Sequence, residues 1–265
     1  MGITSPQQTM KNWHLKSSEE EGFHKIIIPG REDCSAVHIC RLNLSAGNSY
    51  MIQSLDLEMN AVLLKGSAKI KSECLDHEMS LYDSFYVPGN SSVNVTAIED
   101  TIFYIGGALC EGHGKEFYRE YNKDLPLGEI HQIHGAGSGQ REVHFTLNPE
   151  IPASRLICGL TWGGDGTWTS WPPHQHENDL EEVYCYFDMD EPKFGLHISY
   201  LKTQEADNLV AHHVTSGDMV LVPRGYHPTV ASPGTRNTYF WVLAAFSHAS
   251  RRYDLAVLDP TFSDM

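Results

Sequence analysis

Apolar residues in this chain come in short runs, many alternating with polar ones and each closed by turn residues. Val37-His-Ile-Cys-Arg-Leu-Asn-Leu44 alternates and then meets Ser45-Ala-Gly-Asn48. Ala61–Leu64 ends at Lys65-Gly66, Ser84–Val87 at Pro88-Gly89-Asn90, and Thr101–Ile105 at Gly106-Gly107. A period of two sends successive side chains to opposite faces, so these runs predict strands bounded by turns. Ile26-Ile-Ile28, closed by Pro29-Gly30, predicts the first of them. The rhythm resumes with Arg141–Thr146 and Arg155–Leu160, and continues through Gly195–Leu201, Val210–Val214, Met219–Val222, Thr229–Val230 and Thr238–Ala245. Only about 115–122 and 251–258 are predicted to be helical. Many short strands with turns between them predict an antiparallel, all-β sandwich or barrel.

Between the two sets of strands, residues 111–140 are charged, then small and polar. Gly135-Ala-Gly-Ser-Gly139 has no βαβ context and no following Gly-Lys-Ser/Thr, so it reads as linker rather than phosphate loop. This places a division near residue 125, with one domain over 1–125 and a second over 126–265. A weak internal repeat supports the division. Tyr82–Asn90 and Gly217–Gly225 are both strands that run into a Pro/Gly turn. Glu58–Gly66 occupies the place in the first half that Glu182–Phe187 occupies in the second. Asn90 and Ser91-Ser92 stand where the second half has a histidine, so only the C-terminal copy is equipped for metal.

That equipment lies in Trp171-Pro-Pro-His174-Gln-His176-Glu-Asn-Asp-Leu-Glu181-Glu182-Val-Tyr184-Cys-Tyr186-Phe187. His174 and His176 share a face of an extended strand, and a carboxylate follows. Glu182 opens the alternating run Glu182, Tyr184, Tyr186, whereas Glu181 points to the other face. Downstream, His227 in Val222-Pro-Arg-Gly-Tyr-His227-Pro228 is placed to supply a further ligand. His174, His176, Glu182 and His227 together suit a Zn-, Mn- or Fe-type divalent ion with positions left open. His131-x-x-His134 and His212-His213 lack an evident carboxylate or cysteine partner, and read as strand or surface histidines. No Gly-x-Ser-x-Gly nucleophile motif is present.

Composition narrows the classes of function. Over 265 residues the formal net charge is −15, with 41% apolar and 20% charged residues. Such an acidic chain lacks the basic footprint of a nucleic-acid binder. No signal peptide or bilayer-spanning run is visible, and Gly2 lacks the context for acylation, so the expectation is a cytoplasmic protein with no membrane partner. Six scattered cysteines without a Cys-x-x-Cys pair read as reduced thiols.

The residues resemble the cupin superfamily, small β-barrels that hold a metal through His-x-His, Glu and a later His. Pro172-Pro-His-x-His, Leu180-Glu-Glu-x-Tyr184 and Val222-Pro-Arg-Gly-Tyr-His-Pro228 resemble the 5-deoxy-glucuronate isomerase family of myo-inositol degradation. Gly135-Ala-Gly, Arg141-Glu-Val, Trp168-Thr-Ser-Trp-Pro-Pro and Leu258-Asp-Pro260 add to the match. The segment between His-x-His and Leu-Glu-Glu is shorter than is usual there, and Tyr184-Cys-Tyr186 stands where Tyr-Tyr-His is common.

The resemblance implies a two-domain cupin (bicupin) of antiparallel jelly-roll barrels. It also implies a metal-dependent aldose–ketose isomerase acting on a small deoxy-uronic acid. Tyr184 is then a candidate catalytic group, with Tyr186 and His213 as other proton carriers. Arg224, beside His227 in sequence, is the chosen cation for the substrate carboxylate, with Arg141 and Arg155 as alternatives. A homo-oligomer is expected from exposed sheet edges. Alternative functions are a 4-deoxy-5-keto-uronate isomerase, an Fe(II) dioxygenase on the same barrel, or a non-catalytic sugar-binding cupin.

Overall fold

The computed structural model describes residues 5–202 and 208–262; Gly2 lies outside them. Among these residues the chain forms 23 strands, β1 to β23, and one short α-helix, α1 (Pro6–Lys11). In the N-terminal half a six-stranded sheet has two edge strands, β11 (Phe117–Arg119) and β2 (Gly22–Ile27). Between them run β8 (Ser84–Val87), β5 (Leu57–Lys65), β10 (Thr101–Leu109) and β3 (His38–Leu44). A four-stranded sheet faces it, in the order β4 (Ser49–Gln53), β9 (Ser92–Ala97), β6 (Ala68–Lys71), β7 (Asp76–Met79). Leu42, Ile70, Phe85, Val95 and Phe103 from the two sheets make one buried core.

The C-terminal half repeats the plan. Its large sheet begins with β1 (His14–Lys16), β20 (Asp218–Val222), β17 (Leu180–Tyr186) and β22 (Arg236–Ala245). It continues through β14 (Leu156–Asp165) and β13 (Arg141–Leu147) to β12 (His131–His134). The smaller sheet runs β15 (Trp168–Thr169), β21 (Thr229–Ala231), β18 (Gly195–Ser199), β19 (Val210–Val214). A two-stranded ribbon, β16 (His174–Gln175) with β23 (Val257–Leu258), closes one end. Each half is thus two facing sheets rather than one continuous closed barrel. The all-β class is the one expected.

The two large sheets pack back to back. Ile39, Val62 and Tyr104 on one side meet Leu160, Val183, Phe240 and Val242 on the other. This explains why every residue of β17 is buried. Val183 and Cys185 enter the core between the halves, while Tyr184 and Tyr186 enter the C-terminal core. The sheets approach closely at Gly106, where an added Cβ would lie 2.7 Å from both methyls of Val242.

Two buried glutamates join the halves reciprocally. Glu181 on β17 accepts from Ser35 N (2.7 Å), Ser35 Oγ (2.9 Å), Ala36 N (2.7 Å) and Val37 N (3.1 Å), just ahead of β3. Glu58 on β5 accepts from Tyr86 Oη (2.6 Å) and from the amides of Ser154, Arg155 and Leu156, at the start of β14. The repeat therefore aligns Glu58 with Glu181, one residue away from the alignment expected with Glu182. Strand register agrees, since Met59 pairs with Val87 as Glu182 pairs with Val222. An apolar methionine occupies the place that Glu182 holds in the C-terminal half.

Other departures from the pattern-based expectation have local causes. Residues 117–119 form a strand rather than a helix, because Phe117 stacks on Tyr86 (5.7 Å) and Tyr118 on His77 (4.2 Å). Within 251–258 the chain forms no α-helix, and β23 pairs with the His174 strand instead. The expected linker contains β12, which completes the large C-terminal sheet. Helix α1 was not predicted; its signal is Ser5, whose hydroxyl accepts from Gln8 N (3.2 Å), followed by Pro6 at the first helical position.

Candidate metal centre and active site

His174 sits on β16, held in place by pairing with Leu258, and His176 lies in the turn that leads into β17. The three-residue segment Glu177-Asn-Asp makes that turn compact, with Asp179 N and Leu180 N both donating to His176 O (3.0 Å). Glu177 reaches across to accept from Gly225 N at 2.9 Å, fixing the turn that carries His227. Gly225 has φ +79°, and an added Cβ would lie 2.5 Å from Tyr200 O, so this turn requires glycine. The compact Glu177–Asp179 loop thereby ties the segments carrying His176 and His227 together.

Period two in β17 turns Glu182 toward the histidines and Glu181 away into the interface between the halves. Donor atoms of His176, Glu182 and His227 all lie within 4.8 Å of one another, and all three residues are buried. His176 Nε2 is 3.0 Å and His227 Nε2 3.1 Å from the same oxygen, Glu182 Oε2. His174 stands beside them, its ring centroid 4.7 Å from that of His227.

Each imidazole has its Nδ1 near a backbone carbonyl: Pro172 O for His174 (3.0 Å), Leu180 O for His176 (3.2 Å) and Gly225 O for His227 (3.3 Å). A proton on Nδ1 leaves the Nε2 lone pair available, which is the arrangement of a metal-bound histidine. His227 Nε2 is buried and has no hydrogen-bond partner despite its closeness to Glu182. Lone pairs pointed at a carboxylate oxygen repel unless a cation or proton sits among them. The donors of His176, Glu182 and His227 fit a divalent ion of borderline softness, which these three would hold with His174 beside them. Burial alone would raise the Glu182 carboxyl; His176 and His227 hold it well below the usual carboxylate range only when their Nε2 atoms carry protons, the positive charge that a bound ion would replace. Burial, with His227 nearby, pushes His174 down to about 3, so it is a neutral imidazole.

His174, His176 and Glu182 open into a cavity of about 320 Å³ lined also by His134, Arg141, Trp171, Tyr184, Tyr239 and Tyr253, while His227 is fully buried. Arg141 and His134 are cross-strand partners, and Arg141 Nη1 donates to Trp171 O (3.0 Å). Tyr184 lines the cavity, and its burial, with Glu182 nearby, raises its hydroxyl well above the ordinary range. His134 is lowered by burial and by Arg141, and its Nε2 lies 2.7 Å from Gln132 Oε1.

Arg224 is placed elsewhere. It pairs with Asp33 (2.7 Å) and lies over the Trp13 ring, on the far side of the turn from His227. The cause is the Gly225 turn (φ +79°), which separates Arg224 from His227 and sends their side chains in different directions. Arg155 pairs with Glu111 (2.6 Å), leaving Arg141 as the arginine that lines the cavity. Tyr186 is buried against His197 Nδ1 (2.9 Å) and Thr229 (3.0 Å), and exposed His213 stacks on Phe194. The roles of His134, Tyr239 and Tyr253 as cavity walls were not recognised from sequence. For His134 a signal existed, since the Arg141 strand pairs antiparallel with its neighbour.

A duplicated pair of facing β-sheets, with a His₃-carboxylate cluster in one copy, defines a bicupin of the metal-site class. Among such proteins the chain belongs to the KduI/IolB family, whose model matches residues 13–264. Over 219 residues it is 32% identical to 5-deoxy-glucuronate isomerase of Geobacillus kaustophilus, covering 76% of each chain. The same enzyme of Geobacillus thermodenitrificans is 32% identical over 246 residues, covering 86% of this chain and 87% of the relative. An IolB-like protein from Salmonella typhimurium LT2 superposes with a TM-score of 0.82 at 24% identity, covering 94% of this chain and 97% of that one. Oxalate decarboxylase of Bacillus subtilis, in a variant form, has a TM-score of 0.62 at 12% identity and covers 97% and 80%. The last two likenesses concern the fold.

Proposed function

We propose that the chain is a metal-dependent aldose–ketose isomerase converting 5-deoxy-D-glucuronate to 5-dehydro-2-deoxy-D-gluconate in myo-inositol degradation. The observation that carries this reading is the convergence of His176 and buried His227 on Glu182, at the wall of a cavity that Arg141 also lines. The relatives named as 5-deoxy-glucuronate isomerases support the choice of substrate. A bound Zn, Mn or Fe dication would act as a Lewis acid toward the substrate carbonyl.

The protein's own residues account for the remaining needs of the reaction. A proton must leave the carbon beside the carbonyl and return to its neighbour. His134, kept neutral by burial and by Arg141, is suited to accept a proton. Tyr184, kept protonated, is suited to donate one. Groups whose environments set their protonation apart in this way divide acid and base duty. Arg141 offers the uronate carboxylate a planar, charged partner. Aromatic walls from Trp171, Tyr239 and Tyr253 limit water around the reacting carbons.

The same reading places the enzyme in the cytoplasm as a homo-oligomer of two-domain subunits, divided near residue 125. The strand β1 is assigned to the second domain's sheet. Among the described residues no helix is long and apolar enough to cross a membrane. The test is conversion of 5-deoxy-glucuronate followed by NMR in deuterated water, with protein stripped of metal and then reloaded. Activity lost on chelation and restored by one of the three ions, with solvent deuterium entering the product, is the expected result. Metal-loaded protein that converts no deoxy-uronate overturns the proposal.

A further inference from the structure

Two imidazoles and a carboxylate meet a second time in the molecule, on the β12–β13 hairpin. His131 and His144 are cross-strand partners with rings stacked at 4.2 Å. Glu142 precedes His144 by two residues and so shares its strand face. His131 Nε2 is 3.1 Å, and His144 Nε2 3.3 Å, from the same oxygen, Glu142 Oε1. Alternation that turns Arg141 and Val143 into the cavity turns Glu142 and His144 to the opposite face, where His144 meets Tyr121 and Trp162. His134, three residues from His131, lines the cavity and belongs to neither cluster of donors.

The surroundings of His131 repeat those of the first centre, while His144 Nε2 is within hydrogen-bond distance of Glu142 Oε1 (3.3 Å). His131 Nδ1 lies 2.5 Å from Leu125 O, so that nitrogen donates and Nε2 keeps its lone pair. His131 Nε2 is buried and without a hydrogen-bond partner, although Glu142 is within reach. All three donor atoms lie within 4.8 Å of one another, as they do around Glu182. A carbonyl that orients an imidazole whose other nitrogen faces a carboxylate is the layout of a metal ligand with its supporting hydrogen bond.

We propose that His131, Glu142 and His144 form a second metal site, suited to a divalent ion of borderline softness such as Zn(II). Two imidazoles and one carboxylate suit that ion, with a water completing the set. Glu142, whose side chain is 33% exposed, leaves solvent a way in. Because Leu125 and His131 come from the segment between the halves, the ion would clip this segment onto the C-terminal sheet. The site is independent of the cavity and of the reaction proposed there.

The rival is a protonated His131 that donates to both Leu125 O and Glu142, an ion pair that needs no metal. Metal content separates the two. Full-length protein, stripped by chelation, is titrated with Zn(II) and then with Co(II), whose visible absorption reports nitrogen and oxygen ligation. His131→Gln, His144→Gln and Glu142→Gln are each expected to bind one equivalent fewer than the wild type. His176→Ala is expected to lose a different equivalent while retaining the hairpin's, and adding His131→Gln to it should abolish the remaining Co(II) spectrum. Glu142→Gln changes one atom of a partly exposed side chain, so its loss cannot be put down to misfolding. Unchanged stoichiometry in the three hairpin variants, or a His176→Ala spectrum indifferent to His131→Gln, overturns the proposal.

Discussion

Arg141 reaches the cavity because it stands on the inward face of β13, and its Nη1 donates to Trp171 O. If it holds the substrate carboxylate, Arg141→Lys loses the planar, two-point contact. A charge-assisted hydrogen bond is worth about 1.5–3 kcal/mol, so kcat/KM should fall roughly 10- to 150-fold, mainly through KM. Arg224→Ala, on the Asp33 and Trp13 side, should leave both constants within about twofold. Steady-state kinetics on the two variants decides between the arginines. Glu182→Gln keeps shape but removes the charge, and should lower bound metal and activity by about a hundredfold or more, since even supporting residues cost 10- to 100-fold. Normal metal content in that variant would exclude Glu182 as a ligand. Much at this scale was legible in advance, because alternation alone separates Glu182 from Glu181. Arg224 was misread because sequence adjacency to His227 says nothing about direction through a glycine turn. The Glu142–His144 pair was passed over since its third member, His131, lies across a strand pairing that spacing does not reveal.

At the level of the strands, β5 and β17 each carry a carboxylate into the opposite half. Glu181→Ala would leave the buried amides of Ala36 and Val37 without their acceptor, and Glu58→Ala would do the same at Ser154–Leu156. Each should destabilise the protein by roughly 3–5 kcal/mol, as removal of one partner from a buried charged network does. Urea midpoints would show it, and a loss under about 1 kcal/mol would mean that water replaces the carboxylate. Most strands were legible from their period and turn residues. The elements misread were those whose partners are distant in sequence. β11 and β12 are short, three and four residues, and become strands because an established sheet edge offers them hydrogen bonds. β1 joins β20 across more than two hundred residues of chain, a pairing that no local pattern encodes.

For the molecule as a whole, the buried histidines set the response to acid. His212 is pushed down to about 4 by burial and by neighbouring His14, and burial likewise holds His197 far below its usual value. Both are neutral in the folded protein, whereas in the unfolded chain each takes up a proton near pH 6.5. Their contribution to stability is complete above about pH 7 and is lost as the pH falls below the unfolded value. Between about pH 7 and about pH 5 His212 should cost up to about 2 kcal/mol, and His197 acts in the same direction. Denaturant midpoints measured across that range on chelated protein should decline, and His212→Gln should flatten the decline. A midpoint independent of pH would show that these side chains are already protonated in the native state. The duplicated layout was legible from the repeated turns, but its offset by one residue was not, since Glu58 and Met59 can be told apart only by their register with Val87.

That register has an evolutionary consequence. In Glu181-Glu182 two neighbouring peptide units serve opposite sides of one sheet, one clasping the N-terminal half and the other facing the histidines. A single residue inserted or deleted upstream within β17 would exchange their directions, spoiling fold and chemistry together. Loops such as Glu177–Asp179 can shorten across relatives, while the length of this strand is a counted quantity. Lineages of this protein should therefore tolerate indels within Glu177–Asp179 and none from Leu180 to Tyr186.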